Sequence, residues 1–463
     1  MHREFFTKNY VTLLIAILFF AFFSRIYQLH IPERYIFDEV YHAVTAKLIA
    51  QNDPRAFEWW NPPPETDTAI DWLHPPLAKY TQALSMNIFG ENAFAWRLSS
   101  ALFGVAVIFL VAVLSLRLTK DHSLSLLAAL VASLDGLLLV MSRIAMNDIH
   151  VTFAVLLTLV FYLRTKPFET KTITGVSYPS YLLTGIMAGV AIGTKWSGIF
   201  VLGIIYFYEA LQLVDLLATS FQKKSLKKEF SKYATQIALL VLFFCIVPII
   251  VYIFSYSQMF LQGKDFNHFI ELHKQIWAYQ SSLVATHDYQ STPIDWLLNR
   301  RPVWFHVVYE PGKRGDIYAH GNSILLWSGL AAIIALSLRT LKKILNITES
   351  KIPIKTLLKI LRAPMVFTLV SYFSMWIVWT NSPRIMFFYH YTPAIPFLSI
   401  ILAYFLVRLY RLGEIHQPAS KAISITIVGL AILYFLIFIP HWLGIPVRAA
   451  FVEGVYFMFD SWK

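Results

Sequence analysis

Apolar residues in this chain fall in long unbroken blocks, not at the helical spacing of a surface helix with one wet face. Blocks of ~17–25 apolar residues have the length of a bilayer span. About eleven can be marked by hydropathy: Tyr10–Tyr27, Phe94–Leu116, Leu124–Val140, Ile149–Leu163, Tyr181–Trp196, Ile199–Val214, Ile237–Phe254, Ile324–Leu338, Met365–Trp379, Phe387–Val407 and Ile423–Ile439. The polar stretches between them predict two substantial outer loops, roughly Leu29 to Ala93 and Ser255 to Asn322. In the first loop, NPPPE (Asn61 to Glu65) cannot be helix interior. Its neighbours VYHAVTAKLIAQ and LAKYTQALSMNIF predict short helices lying along the surface. The expected fold class is an all-α polytopic membrane protein, with residues 1–463 forming one domain.

Composition agrees with the pattern. The 463 residues are 57% hydrophobic and 14% charged, against about a quarter charged in a soluble domain. Mean hydropathy is +0.57. The first block has the basic flank of a signal peptide (His2, Arg3, Lys8), but only SRIYQLHIPE follows it. That string offers no small-x-small cleavage site, so an uncleaved anchor is expected. The single cysteine, Cys245, lies inside an apolar block. A disulfide framework or a Cys-based metal site within one chain is thereby excluded.

Charge orients the chain. A net charge of +12 raises the question of nucleic acid, but its distribution answers otherwise. Basic residues gather in alternate loops: Arg117 and Lys120; Arg164, Lys166 and Lys171; Lys223 to Lys232; Arg339 to Arg362; Arg408, Arg411 and Lys421. By the positive-inside rule these loops and the N-terminus are cytoplasmic. The run FQKKSLKKEFSK reads as an anchor to anionic lipid heads, so the bilayer is the expected partner and nucleic acid is not. The sequon-like Asn346-Ile347-Thr348 falls on that same side and reads as a chance match. The opposite loops carry most of the acids, including Asp38, Glu39, Asp71, Asp265, Asp288 and Asp316.

Candidate chemistry collects at the outer ends of the spans. Asp38 and Glu39 follow the first span directly. Their plain reading is a pair of carboxylates opening a surface helix; their functional reading is a general base beside a second acid. His74 and Lys79 sit in DWLHPPLAK, where the prolines either begin a helix or aim the histidine at a site. Arg97, Lys195 and Arg384 lie at span mouths, where cations either reach for head groups or hold a phosphate. Asp148 lies five residues after Arg143, which predicts either an ion pair between them or a second acid facing the first. His150, His287 and His390 show no metal-ligand spacing, so no metal or other cofactor is indicated.

The strings FDEVYH, DWLHPPLAKY, WRLSSALFG, LDGLLLVMSRIAMND, GTKWSG, HDYQSTPIDWLLNRRPVWFH, GNSILLW and PRIMFFYHYTPAIPF run in order from Phe37 to about Phe397. Together they resemble the protein O-mannosyltransferases of the short bacterial type. That resemblance implies the GT-C fold and inverting transfer of mannose from a polyprenyl-phosphate carrier to Ser or Thr of exported proteins, at the outer face. It implies Asp38 as base, Glu39 as the positioner of the peptide and Asp148 as organiser. It makes Arg97 the first candidate for the donor phosphate, supported by Arg301 and Arg384. Arg143, Lys195, Tyr389 and His390 complete the expected donor-binding set with His74 and Lys79. WRLSS departs from the family's WRLPS at Ser99. Leu73-His74 stands where a sister branch that moves aminoarabinose onto lipid A carries an acid-Lys pair. A transferase with a lipid or glycan acceptor is therefore the alternative reading, and a transporter is a more distant one, since no paired broken helices appear.

Overall fold

The computed structural model describes residues 2–169, 177–222, 226–349, 354–415 and 417–463. Lys171, Lys223 and Lys224 of the expected basic loops lie outside the described residues.

Each apolar block is helical. Among the described residues, seven helices are long and apolar enough to cross a bilayer: Ala93–Thr119, Asp148–Thr165, Trp196–Phe221, Tyr233–Phe254, Ser323–Asn346, Phe388–Glu414 and Pro418–Leu443. Ile354–Leu361 and Pro364–Asn381 add an eighth if their 66° bend is counted within one span. The expected number was higher because three blocks fall short of that length. Tyr10–Ile26 and Tyr178–Thr194 have 17 residues each. The block from Leu124 is cut where helix His122–Ser133 ends and Asp135 caps the next helix, accepting from the Leu138 amide. Apolar blocks report solubility in lipid; they do not report where a cap divides them.

Helix Asp148–Tyr162 is the hub. It packs between Ala93–Thr119 and Tyr178–Thr194, and nearly every side chain along it is buried. Arg25 stands inside Tyr10–Ile26 with its side chain fully buried, donating to Ser142 Oγ at 3.2 Å and to Ala21 O at 3.2 Å.

The two long loops are more structured than a pair of surface helices. The first holds Glu39–Ala50 and Leu77–Phe89, as its amphipathic pieces predict. The second holds helix Phe266–Ser282 and then strands β1 (Val303–Glu310) and β2 (Lys313–Ala319), with β3 (Val447–Arg448) from the C-terminal segment. The three form one antiparallel sheet in the order β1-β2-β3. This small sheet is an addition to the expected helical fold. Val303–Glu310 is rich in β-branched and aromatic residues and ends at Pro311-Gly312, where Gly312 has φ 70°; this is a hairpin signal. Phe37 stacks on Phe305 of β1 with ring centroids 4.4 Å apart and meets Tyr389 edge-on at 6.0 Å. The segment bearing Asp38 is thus clamped between the sheet and the turn that holds Tyr389.

Candidate active site

A cavity of about 1010 Å³ opens between the two long loops and the adjoining ends of the spans. Asp38, His42, Asp71, His74, Asp148, Lys195, Arg384, Tyr389 and His390 all line it. Residues up to 352 positions apart in sequence thereby meet at one place, since Asp38 and His390 share its wall.

Asp38 is the N-cap of helix Glu39–Ala50, but its side chain makes no capping bond. The plain capping reading therefore fails. Its Oδ2 is 3.5 Å from the Tyr389 hydroxyl, which donates. Burial pushes the Asp38 carboxyl up to about 6, with His42 opposing and Asp148 adding to the rise. A carboxylate tuned toward neutrality in a cleft suits proton abstraction.

Asp148 opens its helix and pairs with Lys195 at 2.7 Å. Lys195 is the extended residue that separates helix Tyr178–Thr194 from the turn at Trp196–Ile199. That kink turns the ammonium into the cavity, 5.7 Å from the Tyr389 ring centroid. Asp148 pairs with Lys195 and not with Arg143. Arg384 lines the cavity, and its Nε is buried with no hydrogen-bond partner among the described residues. His390 is packed between aromatics, stacked on Trp296 at 6.1 Å and edge-on to Trp379 at 4.6 Å.

Five of the expected site residues are absent from the cavity wall. Glu39 is fully buried beneath it. Its carboxylate receives Arg97 Nε at 2.8 Å and Nη2 at 2.7 Å, with the amides of Ile36 at 3.1 Å and Ala145 at 3.0 Å. Arg97 spends its remaining donors on the carbonyls of Leu29, Pro32 and Arg34. Neither a head-group anchor nor a phosphate clamp, Arg97 is the partner of Glu39, and the peptide-positioning role expected of Glu39 lacks an open oxygen. Arg143 likewise donates to the carbonyls of Arg25 at 2.7 Å and Tyr27 at 2.8 Å. Arg301 lies outside the cavity, held by the carbonyls of Asp288 at 2.7 Å and Lys463 at 2.8 Å and stacked on Tyr289. Lys79 is buried behind the wall, bonded to the Asp71 and His74 carbonyls at 2.6 and 2.9 Å.

Sequence reasoning missed the group built on Asp71. His42 Nδ1 lies 2.7 Å from its Oδ2, His74 Nδ1 2.8 Å from its Oδ1, and Lys79 Nζ 2.9 Å from Oδ2. Burial works to raise the Asp71 carboxyl, but His74, Lys79 and His42 outweigh it and hold the group well below the usual range. Burial pulls His74 down to about 4, against the Asp71 charge. The ligand atoms of His42, Asp71 and His74 lie within 4.8 Å of one another, as a metal site would require. The Lys79 ammonium already supplies a cation to that carboxylate. Only the Asp71–His74 spacing of three was visible in sequence; His42 comes from another element.

Comparisons place this geometry among known proteins. The family model described as "Dolichyl-phosphate-mannose-protein mannosyltransferase" matches residues 15–261. The model described as "C-terminal four TMM region of protein-O-mannosyltransferase" matches 265–462. A polyprenol-phosphate-mannose–protein mannosyltransferase of Corynebacterium glutamicum is 23% identical over 454 residues, covering 84% of this chain and 81% of the relative. Its counterpart in Mycolicibacterium smegmatis is 24% identical over 322 residues, 59% of this chain and 58% of its own length. Among solved structures, the S. cerevisiae Pmt1-Pmt2 complex bound to the sugar donor superposes with TM-score 0.77 at 14% identity, covering 98% of this chain and 93% of that one. ArnT from Cupriavidus metallidurans bound to undecaprenyl phosphate gives TM-score 0.56 at 13% identity, covering 94% and 77%. The fold is GT-C, and the chain belongs to the dolichyl-phosphate-mannose-protein mannosyltransferase family.

Proposed function

We propose that this enzyme moves mannose from a polyprenyl-phosphate carrier to Ser or Thr hydroxyls of exported proteins, at the outer face of the plasma membrane and with inversion. The observation that carries the reading is the pairing of opposite chemistries in one cavity. A near-neutral carboxylate without an ion pair among the described residues, Asp38, shares it with the guanidinium of Arg384 and the ammonium of Lys195.

In this reading the acceptor oxygen attacks the anomeric carbon while Asp38 takes its proton. The bond from that carbon to the phosphate oxygen breaks, and the carrier leaves as a phosphate monoester. Its developing charge meets Arg384 and Lys195, which are already in place. Asp148 keeps Lys195 pointed inward. A single displacement needs one base and no protein nucleophile, which accords with inversion. The mechanism proposed requires no metal, the cavity's own cations taking the phosphate charge. The alternation of basic loops supports an inside N-terminus and an outward cavity.

The test is transfer from polyprenyl-phosphate [³H]mannose in membranes containing the protein. Label should appear in protein and be released from Ser or Thr by mild alkali. Label arriving in lipid would favour the sister reading. Reporter fusions after Lys228 and after Asp288 should report inside and outside; one side for both would overturn the orientation.

A further inference from the structure

We propose that His42, steadied by Asp71, takes from Asp38 the proton that Asp38 removes from the acceptor hydroxyl. The inference rests on the mannosyl-transfer reading above.

His42 stands one turn after Asp38 on the same helix, its amide donating to the Asp38 carbonyl at 3.0 Å. Side chains four apart lie on one helix face about 5–6 Å apart at Cβ. Both line the cavity. His42 Nδ1 is turned to the Asp71 carboxylate at 2.7 Å, and its side chain is 6% exposed. With Nδ1 facing Asp71, Nε2 is the ring nitrogen that remains for another group. A buried carboxylate beside Nδ1 selects the tautomer with basic Nε2 and stabilises the imidazolium that forms on protonation. Asp71 is itself held in place by Lys79 and His74.

The other charged groups around Asp38 suit this assignment. Lys195 carries a positive charge already and is paired with Asp148. His74 shares Asp71, but burial holds it down at about 4, so it stays neutral over the working range. Tyr389 faces Asp38 as a donor. His42 is the neighbour left to accept.

The step balances simply. The acceptor oxygen gains its bond to the sugar and loses its proton to Asp38; the sugar–phosphate bond breaks. While the proton stays on Asp38, it can return to the new glycosidic oxygen, which begins the reverse reaction. Passing it to His42 Nε2 restores the Asp38 carboxylate and leaves an imidazolium facing Asp71. The proton departs to water when the products clear the cavity.

The experiment compares single-turnover and steady-state mannosylation of a Ser/Thr peptide by wild type and His42→Gln, which keeps hydrogen bonding but cannot carry the proton. The first turnover should run near the wild-type rate and the steady state at least ~10²-fold slower, the low end of acid–base contributions. Added imidazole should restore turnover. Equal slowing of both phases without imidazole rescue would make His42 structural, and unchanged rates in both would remove it from the reaction. If His42→Gln does not accumulate in membranes, His42→Asn serves with the same readouts. Wild type that moves no mannose would defeat the functional reading instead.

Discussion

Asp38 and Glu39 are adjacent in sequence and belong to two different regions of the molecule. Glu39 enters a dry lock under the first long loop, where Arg97 and two amides use both its oxygens. Asp38 faces the cavity, spends nothing on capping and is held near neutrality. The cations divide in the same way. Arg97 and Arg143 are spent on buried carbonyls and Glu39, while Arg384 and Lys195 line the cavity. A buried charge with every valence answered holds structure; a partly answered charge on a cavity wall is available to a substrate.

The comparison is broken most strongly at Asp38. Asp38→Asn should lower transfer by ~10²–10⁴, the usual cost of a lost general base, with membrane level and donor binding near wild type. Glu39→Gln, one residue away, should instead lower stability. The pH profile sharpens the point. Asp38 acts as the carboxylate, and its folded value is raised to about 6. It is protonated below that value, so kcat/KM should fall as pH drops through about 6 and level off above it. A profile without this acid limb, or normal turnover by the Asn variant, would move the base role to another group.

The lock gives the next largest effect, in a different measurement. Removing one partner of a buried ion pair costs about 3–5 kcal/mol, because the other charge is left uncompensated. Arg97→Ala should therefore lose melting temperature and membrane yield. Protein that does fold should keep a donor KM close to wild type. A selective rise in donor KM at unchanged stability would return Arg97 to the phosphate.

The division between regions was only partly legible in sequence. The spans were, because lipid selects unbroken apolar runs; so were the strings around Asp38, His74, Asp148, Lys195 and Arg384, which the fold gathers at one cavity. The fate of each charge was not. Glu39 meets Arg97 across 58 positions, and Arg143 reaches the Tyr27 carbonyl across 116. No local spacing encodes such a pairing, and an arginine near a span end looks the same whether it snorkels, clamps or locks. The β1–β2 hairpin left a turn signal at Pro311-Gly312, but its aromatics also suited a bilayer interface. The group of His42, Asp71 and His74 draws on two segments, so ligand-style spacing did not reveal it.

The cavity's cations supply the smallest and most selective test. If Arg384 meets the donor phosphate, its planar fork can offer two parallel hydrogen bonds, and Lys offers a point charge on a flexible stem. Arg384→Lys should lower kcat/KM for the lipid-linked sugar by at least ~10-fold, about 1.4 kcal/mol of transition-state stabilisation. Arg384→Ala should lower it further, since the charge opposite the leaving group is also lost. Neither change should touch melting temperature, because Arg384 makes no ion pair among the described residues and its Nε is without a hydrogen-bond partner there. This is the reverse of the outcome expected at Arg97, where stability moves and donor use does not. A Lys variant with wild-type kinetics would leave Lys195 as the phosphate's main counter-charge. Loss of stability in Arg384→Ala would assign Arg384 to structure and dissolve the contrast between the two sets of cations.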